Sequence, residues 1–80
     1  MMRMEIIYSK SAVKAISRMD PATKQRVKQG IDRLPDGDVK KLTGHTNSYR
    51  LRIGGLRILF DISENIVITN ILPRGDAYKK

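Results

Sequence analysis

Along residues 48 to 60, SYRLRIGGLRILF, apolar and polar side chains alternate with a period of two. That is the period of a β-strand with one face buried. Gly54-Gly55 interrupts the alternation and reads as a two-residue hairpin turn of type I′, in which both central residues need positive φ. Folding the segment there pairs Ile53 with Leu56, Arg52 with Arg57, Leu51 with Ile58, Arg50 with Leu59 and Tyr49 with Phe60. One face then carries Tyr49, Leu51, Ile53, Leu56, Ile58 and Phe60, a core surface. The other carries Arg50, Arg52, Arg57, Leu59 and Asp61.

The same reading extends along the chain. In residues 3 to 8, Met4, Ile6 and Tyr8 alternate with Arg3, Glu5 and Ile7, which predicts a first strand. Ser9 is a candidate N-cap for a helix over about residues 10 to 19, with Ala12, Val13, Ile16 and Met19 as its apolar stripe. Asp20-Pro21 starts a second helix, Asp as N-cap and Pro at the first helical position, running to about Leu34. Val27, Ile31 and Leu34 share one face of it with Gly30 beside them, and close approach to the first helix would account for that glycine. Pro35-Asp36-Gly37 ends the helix, and residues 36 to 48 read as a polar loop anchored by Val39 and Leu42. After the hairpin, Ser63-Glu64-Asn65 is a turn. IVITNIL at 66 to 72 is a last strand whose two faces are both largely apolar, so its register stays open. Pro73 ends it. The expected fold is α+β: β-α-α-β-β-β, a helical hairpin packed on a largely antiparallel four-stranded sheet.

Eighty residues without cysteine make one small domain, held by packing alone and suited to a reducing, cytoplasmic setting. No run approaches membrane-spanning length, and the N-terminus is too polar for a signal peptide. Sixteen Lys and Arg against eight Asp and Glu leave a net charge of +8, which points to a polyanionic partner, nucleic acid first.

That charge gives the hairpin's polar face its interest. Two guanidinium groups directly opposite at about 5 Å repel by about 1 kcal/mol in water, and by about 3 kcal/mol at an effective dielectric near ~20. Asp61, on the same face, offsets part of this. A solvated, salt-bridged outer face is one reading. A phosphate site is the other, because the planar guanidinium donates two parallel hydrogen bonds to a phosphate. Arg74, just past the last strand, followed by Tyr78, would close one side of such a site. There is one His, no Cys and only scattered acidic residues, so no metal-ligand spacing appears, nor any Gly-rich nucleotide loop. Metal-free RNA cleavage stays open as one chemistry for such a site; in it the substrate's own 2′-hydroxyl attacks the adjacent phosphate. Arginines would stabilise the charge that develops. They serve poorly in proton transfer, since Arg stays protonated.

The chain resembles the RelE branch of the RelE/ParE toxin superfamily over nearly its whole length. The likeness runs from IIYSKSAVKAISRMD through KKLTGHTNSYRLRIGGLRILF to ILPRGDAYKK. Its most specific parts are YRLRIG, the strand beginning LRILF, and PRGDAY. The resemblance implies a single toxin domain over residues 1–80 with the fold reached above. It implies an mRNA endonuclease acting in the ribosomal A site, without cofactor, silenced by a cognate antitoxin in a hetero-oligomeric complex. Carried over by position, Arg52, Arg57, Arg74 and Tyr78 are the catalytic residues, and Arg50, Arg52 and Lys79 bind substrate. Familiar members have lysines where this chain has Arg50 and Arg52, a change that favours phosphate clamping over general-base work.

Other residues carry less. His45 reads as a solvated loop histidine. Lys10, Lys14 and Arg18 form an i, i+4, i+8 stripe that suits either solvent or ribosomal RNA. Tyr8 and Tyr49 read as core. Two rivals share the fold or the charge: a ParE-like inhibitor that binds DNA gyrase, and a non-catalytic basic nucleic-acid-binding module. The gyrase-directed branch generally lacks the Arg57, Arg74 and Tyr78 set.

Overall fold

The computed structural model describes residues 5–44 and 46–73. Its elements are β1 (Ile6–Tyr8), α1 (Lys10–Ser17), α2 (Pro21–Asp32), β2 (Val39–Lys41), β3 (Ser48–Ile53), β4 (Leu56–Ile62) and β5 (Ile66–Pro73). The five strands form one sheet in the order β1-β5-β4-β3-β2. Every pairing is antiparallel except β1 with β5. The α+β class and the helical hairpin are as expected, with one strand more than the four anticipated. The extra strand is β2, inside what reads as a polar loop. Val39 opposite Leu51 gives it a foothold on the core face, while Lys40 and Lys41 complete the ladder with Arg50 and Tyr49.

Both helix starts follow from local chemistry. The Ser9 hydroxyl accepts from Ala12 N at 3.1 Å, and Asp20 accepts from Thr23 N at 3.3 Å, with Pro21 in the first turn. A second bond, from the Thr23 hydroxyl at 2.6 Å, helps hold the Asp20 carboxyl below its ordinary pKa. Among the described residues no helix is long and apolar enough to cross a membrane.

The core lies between the helices and one sheet face. Ala12, Val27 and Ile31 meet Leu51, Ile58, Phe60, Ile66, Ile68 and Ile71, all buried. Large side chains such as Phe60 and Ile58 each contribute about 1.5–3 kcal/mol through burial. Tyr49 stacks on Phe60 with ring centroids 5.7 Å apart, and Tyr8 packs against the same cluster. Burial, with the Asp32 charge as a smaller cause, pushes the Tyr8 phenol above its ordinary pKa. Val13 is not in the core stripe, being 54 % exposed. It sits about 100° round the helix from buried Ala12, over a shallow apolar depression shared with Tyr8 and Ile16 and edged by Lys24 and Lys28.

Three local details differ from expectation. The hairpin turn has positive φ only at Gly54 (56°), the pattern of a type II′ turn rather than type I′. Gly30 makes room for the sheet, not for the first helix: a Cβ there would collide with the Ile53 side chain of β3. The open register of β5 is settled by a bulge. Leu59 faces Asn70 and Phe60 faces Ile68, so Thr69 is left over. The extra residue reverses the parity of the strand, which buries Ile66, Ile68 and Ile71 together. Its hydroxyl donates to Leu59 O at 3.1 Å, and its carbonyl accepts from the Ser9 hydroxyl at 2.9 Å.

Two outcomes follow from these contacts. Ser9→Ala removes the α1 cap and the bond to the bulge together, and is expected to cost about 1–2 kcal/mol in urea denaturation. Gly30→Ala should destabilise by about 1–3 kcal/mol despite alanine's better helix propensity. Adding Ile53→Val, which shortens the obstructing side chain, should recover part of the loss. A stabilised Gly30→Ala would disprove the close approach.

Candidate functional site

The hairpin register is the one read from the sequence, pair for pair from Tyr49–Phe60 to Ile53–Leu56. Alternation therefore puts Arg50, Arg52 and Arg57 on the face turned away from the helices. Arg52 and Arg57 are a direct cross-strand pair, and Arg50 lies opposite Leu59 on one side and Lys40 on the other. Four cations thus come from three adjacent strands. β4 has a neighbour on each side, so the Arg57 backbone is held by Arg52 across one ladder and Leu72 across the other. The same face continues over Leu59, Asn70, Leu72 and Val67, and neither helix packs on it.

The countercharge is not the one expected. Asp61 accepts from the Ser48 hydroxyl at 2.7 Å, across the ladder from it. No arginine comes within ion-pair distance of Asp61 among the described residues. Asp38 takes that place. Its carboxylate oxygens lie 3.9 Å from Arg50 Nη1 and 4.0 Å from Arg52 Nε. Nothing in the local sequence marks Asp38 as special. It is brought there because Arg52 N donates to its carbonyl at 3.0 Å, continuing the β2–β3 ladder by one rung.

The two arginines differ in setting. The Arg50 side chain is only 14 % exposed, against 47 % for Arg52. Arg50 Nη1 is buried without a hydrogen-bond partner among the described residues. A buried donor in this state is costly, and more so on a charged group. Arg52 also borders a cleft of about 320 Å³ between α2 and the end of β3, where Arg26, Gln29 and Arg33 lie. The cationic surface thus runs from the sheet face round to α2. Lys10, Lys14 and Arg18 on α1 are all exposed.

The structure therefore brings together Arg50, Arg52 and Arg57. Arg74, Tyr78 and Lys79 lie outside the described residues, as does His45. The arrangement suits a phosphodiester: planar donors from neighbouring strands, fixed by the ladder, on a face that neither helix covers.

Comparison with known proteins gives a consistent likeness. No family model matches the chain. Toxin RelE3 of Methanocaldococcus jannaschii is 26% identical over 84 residues, covering 94% of this chain and 96% of the relative. Among solved structures, a RelB–RelE antitoxin–toxin complex from Methanococcus jannaschii matches with a TM-score of 0.77 and 25% identity, over 90% of this chain and 94% of that one. An archaeal RelE–RelB complex from Pyrococcus horikoshii matches with a TM-score of 0.77 and 27% identity, over 92% and 98%. Over nearly its whole length the chain is similar, in sequence and in fold, to RelE toxins.

The deep placement of Arg50 lets stability and ligand binding be tested separately. Arg50→Met keeps most of the buried stem but removes the charge and the unpartnered nitrogen. Its stability in urea is expected to be unchanged or higher by about 1 kcal/mol, while affinity for single-stranded RNA falls. A loss of stability without a loss of affinity would make Arg50 a structural residue.

Proposed function

We propose that this chain is a single toxin domain over residues 1–80 that cleaves mRNA in the ribosomal A site and so halts translation. The observation that carries the reading is the row of Arg50, Arg52 and Arg57 on the sheet face turned away from the helices, with backbones fixed by strand pairing. The likeness to RelE toxins supports the reading, in which the substrate is an RNA strand lying along that face. In this mechanism no metal takes part. The 2′-hydroxyl of the RNA attacks the adjacent phosphorus, the bond to the 5′-oxygen breaks, and a 2′,3′-cyclic phosphate and a 5′-hydroxyl result.

Each arginine has a distinct task. Arg57, on β4 opposite Arg52, holds the scissile phosphate and stabilises its developing charge. Arg52, opposite it, shares that load, and Arg50 grips the strand. Arg74 assists departure of the 5′-oxygen by a charged hydrogen bond. Tyr78 orients or relays a proton, the work arginine does poorly. Lys79 adds a phosphate contact. The action is cytoplasmic, where ribosomes are.

The partner in this reading is a cognate antitoxin. The solved relatives from the two archaea are RelB–RelE complexes, and a +8 chain suits an acidic or amphipathic partner. Binding to the folded toxin also stabilises it by mass action.

The test is controlled expression in bacteria with mapping of mRNA 5′ ends. Cleavage is expected at positions in phase with the reading frame, with growth restored by the product of the neighbouring antitoxin gene. Arg57→Ala should slow single-turnover cleavage by about a hundred- to a thousand-fold with the fold intact. Arrest without new mRNA ends, but with loss of DNA supercoiling activity, would favour gyrase inhibition instead. Cleavage abolished by a chelator, or unchanged in Arg57→Ala, would refute the mechanism.

A further inference from the structure

Asp38 is an unusual neighbour for a phosphate site. Its main chain is tied to β3 through the bond from Arg52 N, which puts the side chain within reach of the Arg50–Arg52 pair. Yet the distances, 3.9 and 4.0 Å, exceed the ~2.7–2.9 Å of a charge-assisted hydrogen bond. The carboxylate offsets the repulsion between the arginines without closing a bidentate pair with either. It is also 58 % exposed, while Arg50 Nη1 has no hydrogen-bond partner among the described residues.

We propose that Asp38 sets the affinity and selectivity of the arginine face for phosphate, standing in for an anion that RNA supplies. The proposal rests on the reading that RNA lies on this face. A phosphate oxygen within hydrogen-bonding distance of Arg50 Nη1 gives that nitrogen the acceptor that Asp38 does not. The same carboxylate repels the arriving phosphate, and so raises the requirement for binding. A lone carboxylate on a partner would only replace Asp38 by its equivalent, and would have to compete with a group already attached. A phosphodiester strand engages Arg50, Arg52 and Arg57 at once. Asp38 therefore discriminates in favour of a chain of phosphates and against single acidic side chains.

The substitution Asp38→Asn removes the charge and keeps both the size and the main-chain bond. Affinity is read by fluorescence anisotropy with a labelled, short single-stranded RNA across a salt series, for wild type, Asp38→Asn, Asp38→Glu and Arg52→Ala, with a thermal melt of each. Asp38→Asn is expected to bind on the order of fivefold tighter at low salt, with a salt dependence steeper by roughly 0.7 in log–log slope. Its melting temperature should barely move, and Asp38→Glu should stay near wild type. Unchanged affinity in Asp38→Asn overturns the proposal. Weaker affinity also overturns it, and makes Asp38 a positioning residue for the arginines. If Arg52→Ala binds as well as wild type, RNA does not use this face, and the functional reading falls before Asp38 is in question.

Discussion

A β-strand can offer only every second side chain to a core, and that alternation governs this molecule. Leu51, Ile58 and Phe60 are buried against the helices. Their burial fixes the β3–β4 register, because a slip of β3 by one residue would turn Leu51 to solvent and bring Arg50 and Arg52 inside, and a slip of β4 would exchange Ile58 and Phe60 for Arg57. The arginines need no attraction to one another to assemble. The apolar face forces them into place and supplies the free energy that offsets their mutual repulsion.

The alternation is broken once, at Thr69, and the break is held from outside the strand. The Ser9 hydroxyl caps α1 by accepting from Ala12 N and donates to Thr69 O. One side chain thus ties the start of a helix to the irregularity in the neighbouring strand. Without the extra residue, strict alternation would bring Asn70 to the core face in place of Ile71. The bulge lets β5 bury isoleucines on both sides of it while Asn70 turns outward, where its side-chain oxygen accepts from Ile71 N at 2.9 Å.

What the sequence revealed and what it hid follow the range of the interactions. The hairpin was legible to the residue pair because its signals are local: a period of two and a glycine turn. So were the helix starts at Ser9 and Asp20, whose caps act over three residues. The β2 strand was not, because Val39-Lys40-Lys41 is a strand only by virtue of β3 beside it. The parallel β1–β5 pairing joins residues some sixty positions apart, and no local pattern encodes it. Gly30 announced a close contact, but the first helix was the wrong partner: the neighbour is Ile53 of β3, which only the tertiary packing brings there. At the site, the three arginines were readable from parity. Asp38 was not, since its place depends on the rung it shares with Arg52. Asp61 looked equivalent in sequence but is engaged by Ser48.

The short β2 strand has one more effect. It closes the β3 side of the sheet with three residues, two of them lysines. An unpaired strand edge is a template on which other chains can polymerise, and short length and lysine charge are two ways of spoiling it. A like strand approaching this edge from a second copy would bring its own cations against Lys40 and Lys41. The edge that frames the arginine face thus also guards the molecule against growing into a fibre of itself.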